Sequence, residues 1–199
     1  VYGGGTRPSG FRAKSAVLWD ADHLYIAVEV EDSTHAVPQA LVPDPGNLWQ
    51  GDSPQHRVDL EYDSITNSGD DIEWGYALQD GEILTVAWSS PDNIDLVAVK
   101  IVRDDANNMT YYETAVKLYF HDSNETLSEY IEGNADAKIG YSDMVNANDG
   151  AGRIGWVEWS AGIGAGKDAN LFGTLMFSHT SATVTQVGKL ASTWGSLKK

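Results

Sequence analysis

The 199-residue sequence contains no cysteine. That excludes disulfide staples, thiolate metal centres and a cysteine nucleophile. No run of 18 apolar residues occurs, so no segment is expected to cross a membrane as a helix. Basic residues are scarce: 13 Lys and Arg stand against 29 Asp and Glu, a formal net charge of −16. Such a surface repels nucleic acid and anionic membranes, because binding either one needs Lys and Arg to displace counterions. The expected partners are neutral, cationic or metallic, although acidity also serves solubility alone. Catalytic patterns are missing too. The five histidines show no HExxH spacing, and there is no phosphate-binding loop. Acidic pairs such as Glu29/Glu31 and Asp59/Glu61 recur at i, i+2. On strands these share one solvated face, so they are not read as the paired carboxylates of a glycosidase.

What is present is a chain of short strands. Hydrophobic residues make up 42% of it, enough for a globular core. Residues 16–19 and 24–30 form a hairpin about the turn Asp20–His23. Residues 57–62 alternate as a half-buried strand, and 72–78, 83–88, 96–102, 109–118 and 137–145 follow. Asp80-Gly81 marks a tight turn. Residues 128–131 suggest one helical turn in a polar stretch. A glycine-rich segment, 146–166, surrounds a strand over 154–159, and 171–177 closes the domain. About ten strands with no long helix predict an all-β, two-sheet antiparallel sandwich with a jelly-roll-like course over residues 1–178. Residues 179–199 read as a Ser/Thr-rich linker or C-terminal tail. Val1 is not a natural start, so a leader or an upstream domain is expected before it.

Seven tryptophans and nine tyrosines exceed what a core of this size needs. Trp49 stands in a Pro/Gly/Asn loop where nothing local requires a large apolar group, so a ligand platform or a loop anchor both fit. Trp156 and Trp159 are three apart, so on a strand they face opposite ways, one inward and one exposed. Trp19 and Trp88 alternate with buried side chains and read as core. Trp74 fits either face. Oxygen donors cluster at Asp143, Asn146, Asn148 and Asp149, a candidate calcium site, with Asp70-Asp71 and Asp104-Asp105 as further candidates. Solvated Asx turns explain the same residues equally well.

Three segments, in order, carry a family resemblance: the hairpin 16–32, Leu48–Ser53 with the strand after it, and Asn146–Trp159 continued through Gly162, Lys167-Asp168 and Phe172-Gly173. Over about residues 14 to 177 the chain resembles the family 9 carbohydrate-binding modules and their wider DOMON-like superfamily. The resemblance implies a non-catalytic, secreted bacterial module, joined covalently to a polysaccharide-degrading enzyme such as a glycoside hydrolase, that binds poly- or oligosaccharide of plant or marine origin. It implies a sugar held between two tryptophans, here Trp49 ahead of Asp52-Ser53 and Trp159 at the end of the late strand. Structural calcium occurs in several members. Pro54-Gln55 stands where the sugar-clamping type has a glutamate. Glu73 or Trp74 stands where it has an arginine, with Arg57 or Arg153 able to compensate. The expected carbohydrate contacts are therefore Trp49, Trp159, Gln55, Asp52, Arg57, Glu73 and Arg153, with His56 beside them. The replaced glutamate also motivates a second reading, a structural or adhesion spacer of a large surface protein. A haem-binding relative using Met109, Met144 or Met176 with a histidine is a third.

Overall fold

A computed structural model describes residues 2–3, 10–38, 45–66, 68–120, 125–134, 136–164 and 166–177. The proposed tail 179–199, with Trp194 and His179, lies outside the described residues, as does His121. The strands are β1 (Tyr2–Gly3), β2 (Arg12–Trp19), β3 (Leu24–Glu31), β4 (Ser53–Asp59), β5 (Asp71–Gln79) and β6 (Glu82–Ser89). They continue as β7 (Ile94–Asp104), β8 (Met109–Phe120), β9 (Glu125–Thr126), β10 (Lys138–Asn148), β11 (Arg153–Glu158) and β12 (Gly173–Met176). The single α-helix among the described residues, α1 (Leu127–Gly133), is closed at its start by a capping box in which Thr126 and Glu129 bond each other's backbone N–H.

Two antiparallel sheets face each other, as the alternation predicts. One runs β1-β11-β10-β4-β5-β6 with β12 added to β10; the other runs β2-β3-β8-β7 with β9 added to β8. The core lies between them. Val58, Ile72, Trp74, Tyr76, Ile139 and Val145 from the larger sheet meet Ile26, Val28, Tyr112, Val116 and Leu118 from the smaller. Each such side chain contributes roughly 1.5–3 kcal/mol of transfer free energy when fully buried. Trp74 is core. Trp19, only partly buried, packs edge-on against Phe177 at the margin of the same cluster.

One buried polar chain crosses this core. His56 Nε2 lies 3.1 Å from the Tyr76 hydroxyl, and its Nδ1 lies 3.4 Å from that of Tyr141, which donates to Asp143 at 3.3 Å. The pattern suits a neutral ring protonated at Nδ1. Burial pushes the His56 pKa down to about 3. His56, expected beside the ligand, is thus an interior residue, because it alternates with Gln55 and Arg57 onto the opposite face of β4.

Strand β4 departs from expectation in a second way. It starts at Ser53, and every residue in it is buried, instead of one face in two. Its outer face is roofed by a short 3-10 helix over Pro45–Gln50 and by the loop residues 160–164 and 166–172. The gap between those two roofs holds the candidate site.

Candidate functional site

The first roof is pinned at several points. Leu48 is buried against Ala77. Ser53 Oγ donates to the Leu48 carbonyl at 2.9 Å. Asp52 accepts the backbone N–H of Ala36 at 2.6 Å and of Asn148 at 2.8 Å. These bonds hold the Trp49 indole out at the rim, 39% exposed. Beneath it, the Trp88 indole lies across β5, where a Cβ at Gly75 would sit 2.7 Å from its ring, and its Nε1 donates to Gly46 O at 2.6 Å. Trp88 therefore belongs to a small cluster outside the sandwich, not to the core. Alternation puts it there: Leu84, Val86 and Trp88 pack on the outer cluster while Ala87 packs on the core, and a bulge beside it pairs Trp74 with Ala87 and Glu73 with Ser89.

A second bulge builds the opposite wall. On β11, Gly155 pairs with Ala147 and Arg153 with Asn148, leaving Ile154 over. Arg153 and Trp156, three apart, therefore share the outer face. The Arg153 guanidinium carbon lies 4.4 Å from the Trp156 ring centroid and 5.4 Å from that of Trp49. Its Nε and Nη2 donate to Asn146 Oδ1 at 2.9 and 2.7 Å. Asn146 Nδ2 donates in turn to Gln55 Oε1 at 2.9 Å. The second roof is tied down by Glu158, whose Oε1 accepts Ile163 N at 2.6 Å and Gly164 N at 3.3 Å. Gly164 lies flat on Trp156: a Cβ there would be 2.2 Å from the indole nitrogen. Lys167 reaches from this roof to Glu73 and lies 5.9 Å from the Trp88 ring centroid. Glu73 also accepts Gln55 Nε2 at 3.2 Å and sits 3.5 Å from Arg57 Nη1.

These groups line one cleft of about 310 Å³, with Trp49, Trp88, Trp156, Gln55, Glu73, Arg153 and Lys167 among its walls. Of the seven expected carbohydrate contacts, the structure brings Trp49, Gln55, Glu73 and Arg153 together there. It places three elsewhere. Trp159 sits past the end of β11 on the inward side, against Gly173 of β12, and lines the open margin between the sheets with Ser15, Val28 and Asp143. Trp49 and Trp159 are thus not a pair; alternation turned the two late tryptophans opposite ways as expected, and Trp156 is the one that faces Trp49's cleft. Arg57 is fully buried under Phe172 and bonded to Asp71 at 2.8 Å. Asp52 is 3% exposed, and its oxygens go to backbone amides; burial raises its pKa to about 8 against the pull of those two donors. Trp88, Trp156 and Lys167 were not expected here: Trp88 read as core, Trp159 stood in place of Trp156, and Lys167 arrives through a loop contact with Glu73 more than 70 residues distant.

The proposed cation ligands 143–149 do not converge. Asp143 points inward to Tyr141, while Asn146 points outward into the cleft. Asn148 donates to Gln50 O, and Asp149 caps its own turn through Ala151 and Gly152 N–H. The segment is strand as far as Asn148, so alternation separates its donors. Oxygens do converge elsewhere. Asp59, Asp63 and Asp70 offer carboxylate atoms within 4.8 Å of one another. Asp59, read as solvated, is 1% exposed; burial and the neighbouring Asp70 raise its pKa to about 6.

Comparison with known proteins agrees with this architecture. The carbohydrate family 9 binding domain-like family matches residues 2–180. The chain belongs to that family. Members of this family are binding modules, not catalysts. Two solved structures of a family 9 carbohydrate-binding module from Caldicellulosiruptor kristjanssonii share the fold. The complex with glucose is 18% identical, covering 91% of this chain and 84% of that one, with a TM-score of 0.65. The complex with cellotriose is 17% identical, covering 92% and 83%, with a TM-score of 0.67. No curated protein matches the chain.

Proposed function

We propose that this family 9 domain binds a saccharide in the outer cleft, with a sugar ring stacked on Trp49 and Trp156, and that it targets an attached glycoside hydrolase to polysaccharide outside the cell. The observation that carries the reading is the convergence of three indoles with Gln55, Glu73, Arg153 and Lys167 between the two roofs. A pyranose has an apolar C–H face that suits an indole, and each stacking contact adds about 0.5–1.5 kcal/mol beyond area burial. Rim hydrogen bonds add about 1 kcal/mol each. The sum is a micromolar to millimolar affinity, fit for targeting. The family's solved relatives hold glucose and cellotriose, which supports a saccharide ligand here. The exposure of Trp49 weighs against the spacer reading, which calls for that ring to be occluded.

Structural calcium belongs to the same proposal, held by Asp59, Asp63 and Asp70, whose hard oxygens suit it. Among the described residues no helix is long and apolar enough to cross a membrane. The test of the binding reading is a polysaccharide pull-down and calorimetry on wild type, Trp49→Ala, Trp156→Ala and Trp159→Ala. Loss of binding in the first two variants and its survival in the third supports the cleft. Unchanged binding in both cleft variants rejects it.

A further inference from the structure

The charge of the cleft runs against that of the molecule. The chain carries −16, yet the cleft's ionised side chains are Arg153 and Lys167 against Glu73 alone. Beneath them Arg57 and Asp71 form a buried pair that cancels. The lining itself is therefore net positive, with the Glu158 carboxylate behind it on the Ile163 and Gly164 N–H groups. At physiological ionic strength the distant carboxylates are screened beyond about 8 Å, so the nearby groups, Arg153, Lys167, Glu73 and Glu158, set the local field.

Hydrogen-bond supply points the same way. Glu73 already accepts from Gln55 and Lys167 and pairs with Arg57. Gln55 Oε1 already accepts from Asn146, and Asn146 Oδ1 accepts twice from Arg153. What the walls hold in excess is donors: the guanidinium has five N–H bonds and the ammonium three, while the Trp88 and Trp156 indole N–H groups are taken by Gly46 O and Glu158. A neutral sugar presents hydroxyls that both donate and accept. A carboxylate or sulfate only accepts. Arg153 is also preorganised, held by Asn146 and laid against two rings, so little ordering entropy is lost when it takes a second planar group.

We infer that the preferred ligand is an acidic glycan, in which a uronate carboxylate or a sulfate ester pairs with Arg153 and Lys167 while the ring stacks on an indole. The inference rests on the cleft being the saccharide site. It also narrows the partners that the overall acidity suggests: the charge sum points to neutral or cationic ligands, and the cleft selects the opposite.

Calorimetry in EDTA, at about 20 and about 300 mM NaCl, with three matched probes tests it: a neutral glucan trisaccharide, a galacturonate trisaccharide and a sulfated galactan trisaccharide. EDTA removes binding through bridging calcium. The expected result is that one anionic probe binds about 10-fold or more tighter than the neutral one and weakens with salt. Whichever anionic arm leads names the substituent. Lys167→Gln and Arg153→Gln, checked for fold by circular dichroism, should each lower that affinity more than about 10-fold and the neutral probe's by no more than about 5-fold, the loss of one rim hydrogen bond. Neutral binding equal to or tighter than both anionic probes, or anionic binding insensitive to salt, overturns the inference and leaves the saccharide site standing. Failure of all three probes to bind a folded protein counts against the site itself and takes the inference with it.

Discussion

Two depressions on this sandwich carry an exposed tryptophan, and they are not alike. The one at the margin between the sheets is the larger, about 860 Å³ among the described residues, and holds Trp159, 54% exposed. The one on the outer face is about 310 Å³. Size and exposure favour the first. The second gathers three indoles, two cations and a carboxylate on short, fixed bonds. Recognition of a small ligand depends on convergent polar groups around apolar walls more than on volume. The margin has polar groups, Arg12, Lys14, Ser15, Asp143 and Glu158, but a single indole, so it offers only one stacking face.

Two glycines can break this comparison without removing any ligand-binding side chain. Gly164→Ala puts a methyl into the Trp156 indole and should cost more than about 10-fold in glycan affinity, read by calorimetry. Gly173→Ala does the same to Trp159, where a Cβ would lie 2.4 Å from the ring. That variant should lose about 1–3 kcal/mol in denaturant unfolding and keep its affinity. The reverse pattern would transfer the site to the margin.

A smaller effect concerns pH. The Asp52 carboxyl, at about 8 folded against 3.8 for the free side chain, keeps a proton that the unfolded chain releases. Its contribution is complete below pH 3.8 and is lost as pH rises toward 8. His56, at about 3 folded against 6.5, acts oppositely and destabilises only below pH 6.5. Between pH 6.5 and 8.5 Asp52 acts without that opposition, and the melting temperature should fall. The slope is at most about 1.4 kcal/mol per pH unit, and Asp52→Asn should flatten it. The smallest expected effect is calcium. It should raise the melting temperature by a few degrees over EDTA in wild type and not in Asp70→Asn. Glycan binding through the cleft should survive EDTA.

The sandwich was legible because the strands alternate and turn residues punctuate them. The hairpin of β2 and β3 came through whole, since Asp20–His23 is an unambiguous turn between two apolar runs. The cleft was legible only in part. Trp49 stood out as an unexplained aromatic in a loop, and Gln55 entered through the family resemblance, at the position of the clamp's glutamate. Trp88 and Trp156 were hidden because a period of two separates the faces of a strand without saying which face meets the other sheet. Arg57 was misplaced because its cover, Phe172, is contributed from far along the chain. Asn146 and Asn148 looked like loop residues because asparagine is rare in strands; here their amides are held by Gln55, Arg153 and the Gln50 carbonyl.

The two roofs, 45–50 and the described part of 160–172 (160–164 and 166–172), stand on the same sheet but are anchored separately, one through Leu48 and Asp52, the other through Glu158. A sugar gripped by Trp49 on one side and Trp156 on the other would act as a crossbar. Motions that are independent in the empty domain would become correlated on loading. Amide exchange should then slow together in two stretches more than a hundred residues apart, a kinetic fingerprint of occupancy that holds whichever glycan fills the cleft.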